Sequence, residues 1–66
     1  MLVIRTSQLT GKTHSRFLDI SDEQLREYAQ GGLVQNVFPR LTAGEREFLM
    51  TGITEQEWAE LIDSEA

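Results

Sequence analysis

The sequence predicts an α+β domain, with an N-terminal β-hairpin packed on three or four short capped helices. Three observations carry that expectation. Residues 1–20 hold two apolar, strand-like segments around Leu9-Thr10-Gly11-Lys12, which has turn chemistry. From residue 21 onward, apolar residues recur at three- and four-residue spacings instead. A Ser or Thr followed three residues later by Gln or Glu, the signature of a helix start, occurs at Ser21/Gln24, Thr42/Glu45 and Thr54/Glu57.

Taken in order, Leu2-Val3-Ile4-Arg5 reads as the first strand and Phe17-Leu18-Asp19-Ile20 as the second. Ser7, Gln8, Thr13 and His14 fit either the strand ends or the turn. Side chains alternate along a strand, so if Leu2, Ile4, Leu18 and Ile20 face the helices, Val3, Arg5, Phe17 and Asp19 face away. A helix then starts at Asp22, with Ile20 and Leu25 in the positions of a hydrophobic staple and Leu25, Tyr28 and Ala29 on one face. Gly31-Gly32 ends it by supplying a left-handed conformation. Leu33, Val34, Val37 and Phe38 fit a short helix, stopped where Pro39 pushes Phe38 out of the α region. Thr42 opens the next helix, which carries Phe48 and Leu49 and closes at Gly52. Thr54 opens the last, with Ile53 and Trp58 as a second staple and Trp58, Leu61 and Ile62 as its buried stripe.

The expected core is therefore Leu2, Ile4, Leu18, Ile20, Leu25, Tyr28, Val34, Val37, Phe38, Leu41, Phe48, Leu49, Ile53, Trp58, Leu61 and Ile62, with Trp58 as its main single contributor. Residues 1–66 form one domain in this reading: hairpin to residue 20, helices over 21–63 and a frayed tail at 64–66.

A chain of 66 residues buries only about 60% of the surface its unfolded form exposes. Domains this small need well-specified elements, a partner, or both. Disulfides cannot help, because there is no cysteine, and His14 as the sole histidine leaves little for a zinc site. Met1 to Ile4 has no basic, apolar signal-peptide pattern, and no segment approaches a membrane span; the expectation is a cytoplasmic protein without a membrane partner.

The net charge of −5 is unevenly spread: residues 1–18 carry Arg5, Lys12 and Arg16 and no acid, whereas all eleven acids follow, against Arg26, Arg40 and Arg46. An acidic body argues against direct nucleic-acid binding, which draws on Lys and Arg displacing counterions. The helices around Thr51-Gly52-Ile53 have helix-turn-helix spacing, yet the second would present Glu55, Gln56, Glu57, Glu60 and Asp63 to the groove. Carboxylates imitating a phosphate backbone are a third possibility, set against a plainly solvated acidic face.

Catalytic, cofactor and metal residues are not expected. His14 is expected in the turn with no converging nucleophile, and Asp22, Glu23, Glu45, Glu55 and Glu57 occupy first helical turns, where acids offset the macrodipole. Leu9-Thr10-Gly11-Lys12-Thr13 ends like a phosphate-binding loop but lacks the leading glycine and the following helix. What remains is partner binding through the hairpin, with Val3 and Phe17 as apolar anchors, Arg5 and Arg16 at the rim, and Lys12 and His14 beside them. Such a partner would be a host or phage protein or a second copy of the chain. The acidic helices are the competing surface.

Several segments together resemble a group of short uncharacterised open reading frames of bacteriophage genomes. They are Arg5 with Leu9-Thr10-Gly11-Lys12, Glu23-Gln24, Gly32-Leu33-Val34-Gln35 and Phe38-Pro39-Arg40-Leu41, followed by Glu45-Arg46-Glu47-Phe48-Leu49, Gly52-Ile53-Thr54 and Glu57-Trp58. The resemblance implies a phage-encoded protein and transfers no functional residue; Ala29-Gln30-Gly31 and Ala43-Gly44 depart from it. The leading expectation is a non-enzymatic phage accessory protein that binds a host factor. The alternatives are a minor structural or assembly protein of the particle, and a sponge for an anionic signal of host defence in which Lys12, His14 and Arg16 converge on phosphates.

Overall fold

A computed structural model describes the backbone of residues 1–65 and the side chains through residue 63. Strands β1 (Leu2–Thr6) and β2 (Thr13–Phe17) pair antiparallel, and helices α1 (Asp22–Ala29), α2 (Val34–Val37), α3 (Ala43–Thr51) and α4 (Glu55–Glu65) follow. The architecture is the α+β arrangement that the sequence predicts. The expectation of fraying at 64–66 falls partly on residue 66, which lies outside the described residues; the backbone of 64 and 65 is helical.

The hairpin differs from expectation in its second strand. Leu18-Asp19-Ile20 lies beyond β2, and the strand is the more polar Thr13-His14-Ser15-Arg16-Phe17. Register follows from the loop. Ser7 and Lys12 bracket a four-residue connection, closed by Ser7 N–H to Lys12 O at 2.8 Å and Gly11 N–H to Ser7 O at 2.9 Å. The Ser7 hydroxyl is buried and accepts from the amides of Leu9 and Thr10, and Gly11 takes the positive φ of 75° that the turn needs.

Counting from that loop pairs Leu2 with Phe17, Val3 with Arg16, Ile4 with Ser15, Arg5 with His14 and Thr6 with Thr13. Met1 and Leu18 exchange both backbone hydrogen bonds, at 2.8 and 2.9 Å. The alternation of an antiparallel ladder then makes Leu2–Phe17, Ile4–Ser15 and Thr6–Thr13 the non-hydrogen-bonded pairs, whose side chains approach most closely. The Thr6 and Thr13 hydroxyls indeed lie 3.2 Å apart.

Paired residues share a face, so Leu2 and Phe17 cannot lie on opposite sides. The expected facing of β1 is therefore inverted: Val3 packs against the core, while Leu2 and Ile4 join Phe17 outside. Buried Ser7 fixes this parity, and two contacts to the end of α3 hold it. Gln8 N–H donates to Thr51 O at 3.1 Å, and Arg5 Nη2 to Met50 O at 3.1 Å. Gly52, at φ 76°, brings the α3 terminus so close to β1 that a Cβ there would run into the Thr6 carbonyl.

All three capping boxes form. Ser21 with Gln24, Thr42 with Glu45 and Thr54 with Glu57 each exchange side-chain-to-amide hydrogen bonds of 2.9–3.2 Å. Gln24 serves twice, its other side-chain atom donating to Val37 O at 3.0 Å and tying α1 to the single turn of α2. The core that these elements enclose is Leu18, Val37, Phe38, Leu41, Phe48 and Leu49, with Phe38 and Phe48 fully buried and Ile53 also buried. Ile20, Leu25, Tyr28 and Val34 flank it half-buried, the Tyr28 ring edge-on to Phe38 at 5.7 Å.

Trp58 and Ile62, expected inside, are 40% and 66% exposed. The cause is Glu57. Successive residues of a helix point about 100° apart, so the buried carboxylate turns Trp58 aside, swings Ile62 outward and leaves Leu61, one turn on, half-buried.

Candidate functional site

The hairpin carries a polar cluster on its inner side and an apolar face on its outer side. The cluster is built on Glu57. Its carboxylate accepts from the Thr10 hydroxyl and from the Thr54 amide, and lies 3.1 Å from His14 Nε2. That imidazole nitrogen is out of line for a hydrogen bond, so the contact is one of proximity only. The Glu57 pKa is lowered from 4.5 to about 2, chiefly by the hydrogen bond from the Thr10 hydroxyl, against the opposing effect of burial, with the Thr54 amide and the neighbouring His14 and Ser7 side chains lowering it further.

The chemistry of this cluster is that of a latch. With its pKa so far below neutral, Glu57 is a carboxylate at pH 7 and accepts from the Thr10 hydroxyl directly. What the latch does is tie the hairpin loop and β2 to the start of α4. A shallow depression of about 380 Å³ lies beside it, lined by Leu9, Thr10, Glu57, Glu60 and Leu61. Among the described residues, no group of three or more His, Asp or Glu is placed to hold a metal ion, and no helix is long and apolar enough to cross a membrane.

The strand register places the basic residues of the hairpin. His14 and Arg16 both point inward. His14 meets Glu57, and the Arg16 guanidinium lies over the Phe48 ring, 5.7 Å from its centre, its stem covering the core. Arg5 is exposed on the same side, reaching Met50, and Lys12 is exposed at the end of the loop. Val3 is half-buried against the core rather than an outward anchor. Of the six expected partner-binding residues, Phe17 lies on the outer face and Lys12 at the turn, as expected, whereas Val3 faces the core. Arg5 and Arg16 rim the inner face instead, and Lys12, His14 and Arg16 have different surroundings.

The outer face consists of Leu2, Ile4, Thr6, Thr13, Ser15 and Phe17, with no charged residue. Leu2 is 49%, Ile4 63% and Phe17 80% exposed. Leu2 and Ile4 were missed as surface residues because β-branched and apolar character argues for burial unless the loop register is known. Thr10 and Glu57 were missed because their contact joins positions 47 residues apart, and Glu57 alone looks like an ordinary first-turn acid. Comparison of the chain with protein-family models, with curated proteins and with solved structures finds no match in any of the three.

Proposed function

We propose that this protein works by binding another protein through the outer face of its hairpin, as a non-enzymatic accessory protein of the bacteriophage kind its sequence resembles, with a host factor as the partner. One observation carries the reading: the two-stranded sheet turns its more apolar face to solvent. The inner face has Val3 with Arg5, His14 and Arg16; the outer has Leu2, Ile4 and Phe17. A lone two-stranded sheet is marginal in water unless something packs on it, and contiguous apolar surface of this kind marks interaction sites. The strands also leave the outward backbone groups of Thr13, Ser15 and Phe17 outside the ladder between β1 and β2, an edge available for pairing.

The test compares the wild-type chain, immobilised, with an Ile4→Ser/Phe17→Ser variant against host lysate. The wild type should retain a protein in stoichiometric amount and the variant should not, while both melt at the same temperature. Equal retention by both chains, or none by either, counts against the outer face. The anionic-sponge alternative loses support from the commitment of His14 to Glu57 and of Arg16 to Phe48.

A further inference from the structure

His14 holds an unsatisfied group at the centre of the latch. Its Nε2 is buried and makes no hydrogen bond, although the remainder of the ring reaches water, the side chain being 27% exposed. Buried polar atoms in folded proteins are nearly always paired, so such an orphan needs a physical account. The carboxylate oxygen beside it, Glu57 Oε2, is 3.1 Å away. Glu57 has acceptor capacity to spare: Oε1 accepts from the Thr54 amide and Oε2 from the Thr10 hydroxyl, and each carboxylate oxygen offers two lone pairs. Its pKa of about 2 keeps it charged throughout the range in which imidazoles titrate.

A neutral imidazole has one donor and one acceptor nitrogen; protonated, both nitrogens donate and the ring is a cation. Neutral His14 gains little from Glu57, because either two lone pairs face one another or an N–H lies out of line. With a proton added, the same atoms form an ion pair with a charge-assisted hydrogen bond, reached by a small turn of the ring. The cations around the ring are directed elsewhere. Arg5, its partner across the ladder on β1, donates to the Met50 carbonyl at the end of α3. Arg16, two residues along β2, lies over Phe48, and Lys12 at the loop end is in solvent. From α4 a second acid, Glu60, lines the depression beside Thr10 and Glu57. The three cations oppose a proton on His14, but contact with a buried carboxylate outweighs repulsion from groups turned into other contacts or into water.

We propose that His14 and Glu57 form a proton-operated clasp: uptake of a proton by the imidazole closes the hydrogen bond from Nε2 to Oε2 and holds β2 and the hairpin loop more firmly to the start of α4. The closed pair exists only in the folded chain, so its contribution is present on the acid side of the imidazole titration and is lost as pH rises through it. β2 has His14 on its inner side and Ser15 and Phe17 on its outer side, so the clasp also sets how rigidly the outer face is held.

The test compares melting temperatures of the wild type and His14→Gln, which cannot take up a proton, from about pH 5 to about pH 8. The Met1 ammonium, which donates to the Leu18 carbonyl, and every carboxylate are common to both chains and drop out of the difference. Over that range the wild type should lose about 4 °C or more beyond any loss in the variant. A second readout needs no variant: the Glu57 carboxylate carbon resonance of labelled wild type should step once across the same range, where a carboxylate with a pKa of about 2 has no step of its own. Equal pH slopes in the two chains overturn the clasp. So does a wild type that gains stability over the variant as pH rises, which would show that the cations dominate. A Glu57 resonance that stays flat overturns it even where His14→Gln fails to fold.

Discussion

The inner and outer faces of the hairpin are made from the same two strands and are held in opposite ways. On the inner face a single apolar side chain, Val3, packs on the core, and the three polar residues around it each have a defined contact: Arg5 with Met50, His14 with Glu57, Arg16 with Phe48. On the outer face three large apolar side chains meet solvent. Facing in this sheet follows contacts at its loop, where buried Ser7 and the end of α3 fix the parity of β1, rather than the apolar content of either face. In a two-stranded ribbon a shift of one residue reverses every side chain, so whatever anchors the loop decides what the surface presents.

The sharpest contrast sets two phenylalanines against each other. Phe48, 0% exposed beneath Arg16, should cost about 3–5 kcal/mol when replaced by Ala, enough to threaten the fold of so small a domain. Denaturant titration measures it, and a small loss would show that the inner face is not the seat of stability.

Gly52→Ala comes next, at about 1–3 kcal/mol, because the new side chain meets both the left-handed backbone and the Thr6 carbonyl. If α3 does anchor β1, this variant should also speed hydrogen exchange at the hairpin amides. Exchange confined to α3 would remove the anchor from the account.

Trp58→Ala should cost about 1–2 kcal/mol, well short of a buried aromatic, since much of the indole is already in water. A loss as large as that of Phe48→Ala would place the indole in the core after all.

Acid separates the latch from the rest. The Glu57 pKa is depressed in the folded state, so the stability it contributes is fully present above pH 4.5 and is lost as pH falls toward about 2. Glu57→Gln should flatten the melting temperature across that window relative to the wild type. An unchanged acid slope would show that other carboxylates carry it.

The smallest effect belongs to Phe17→Ala, within about 0.5 kcal/mol of the wild type, as expected for a surface position. A larger loss in dilute monomer would mean that the outer ring contributes to the fold itself, which would blunt the contrast between the faces.

Much of the fold was legible because its signals are local. Capping boxes at Ser21, Thr42 and Thr54, the turn at Gly11 and the stop at Gly52 each lie within a few residues of the elements they bound. The central core was legible for the same reason: Phe38, Phe48 and Leu49 fall on faces that short-range periodicity defines. The candidate site was less so. Of its apolar residues only Phe17 could be placed outside, because Leu2 and Ile4 depend on the parity of the strand ladder.

What the sequence determined by itself was the class of fold, the boundaries of its helices and the separation of a basic hairpin from acidic helices. Tertiary structure alone decided which face of the hairpin looks outward and how α4 is rotated. Both were decided by contacts between residues far apart in the chain, Gln8 with Thr51 and Thr10 with Glu57. A buried carboxylate must be met by hydrogen-bond donors wherever the fold supplies them, and that requirement outweighed the tendency of Trp58 and Ile62 to leave water.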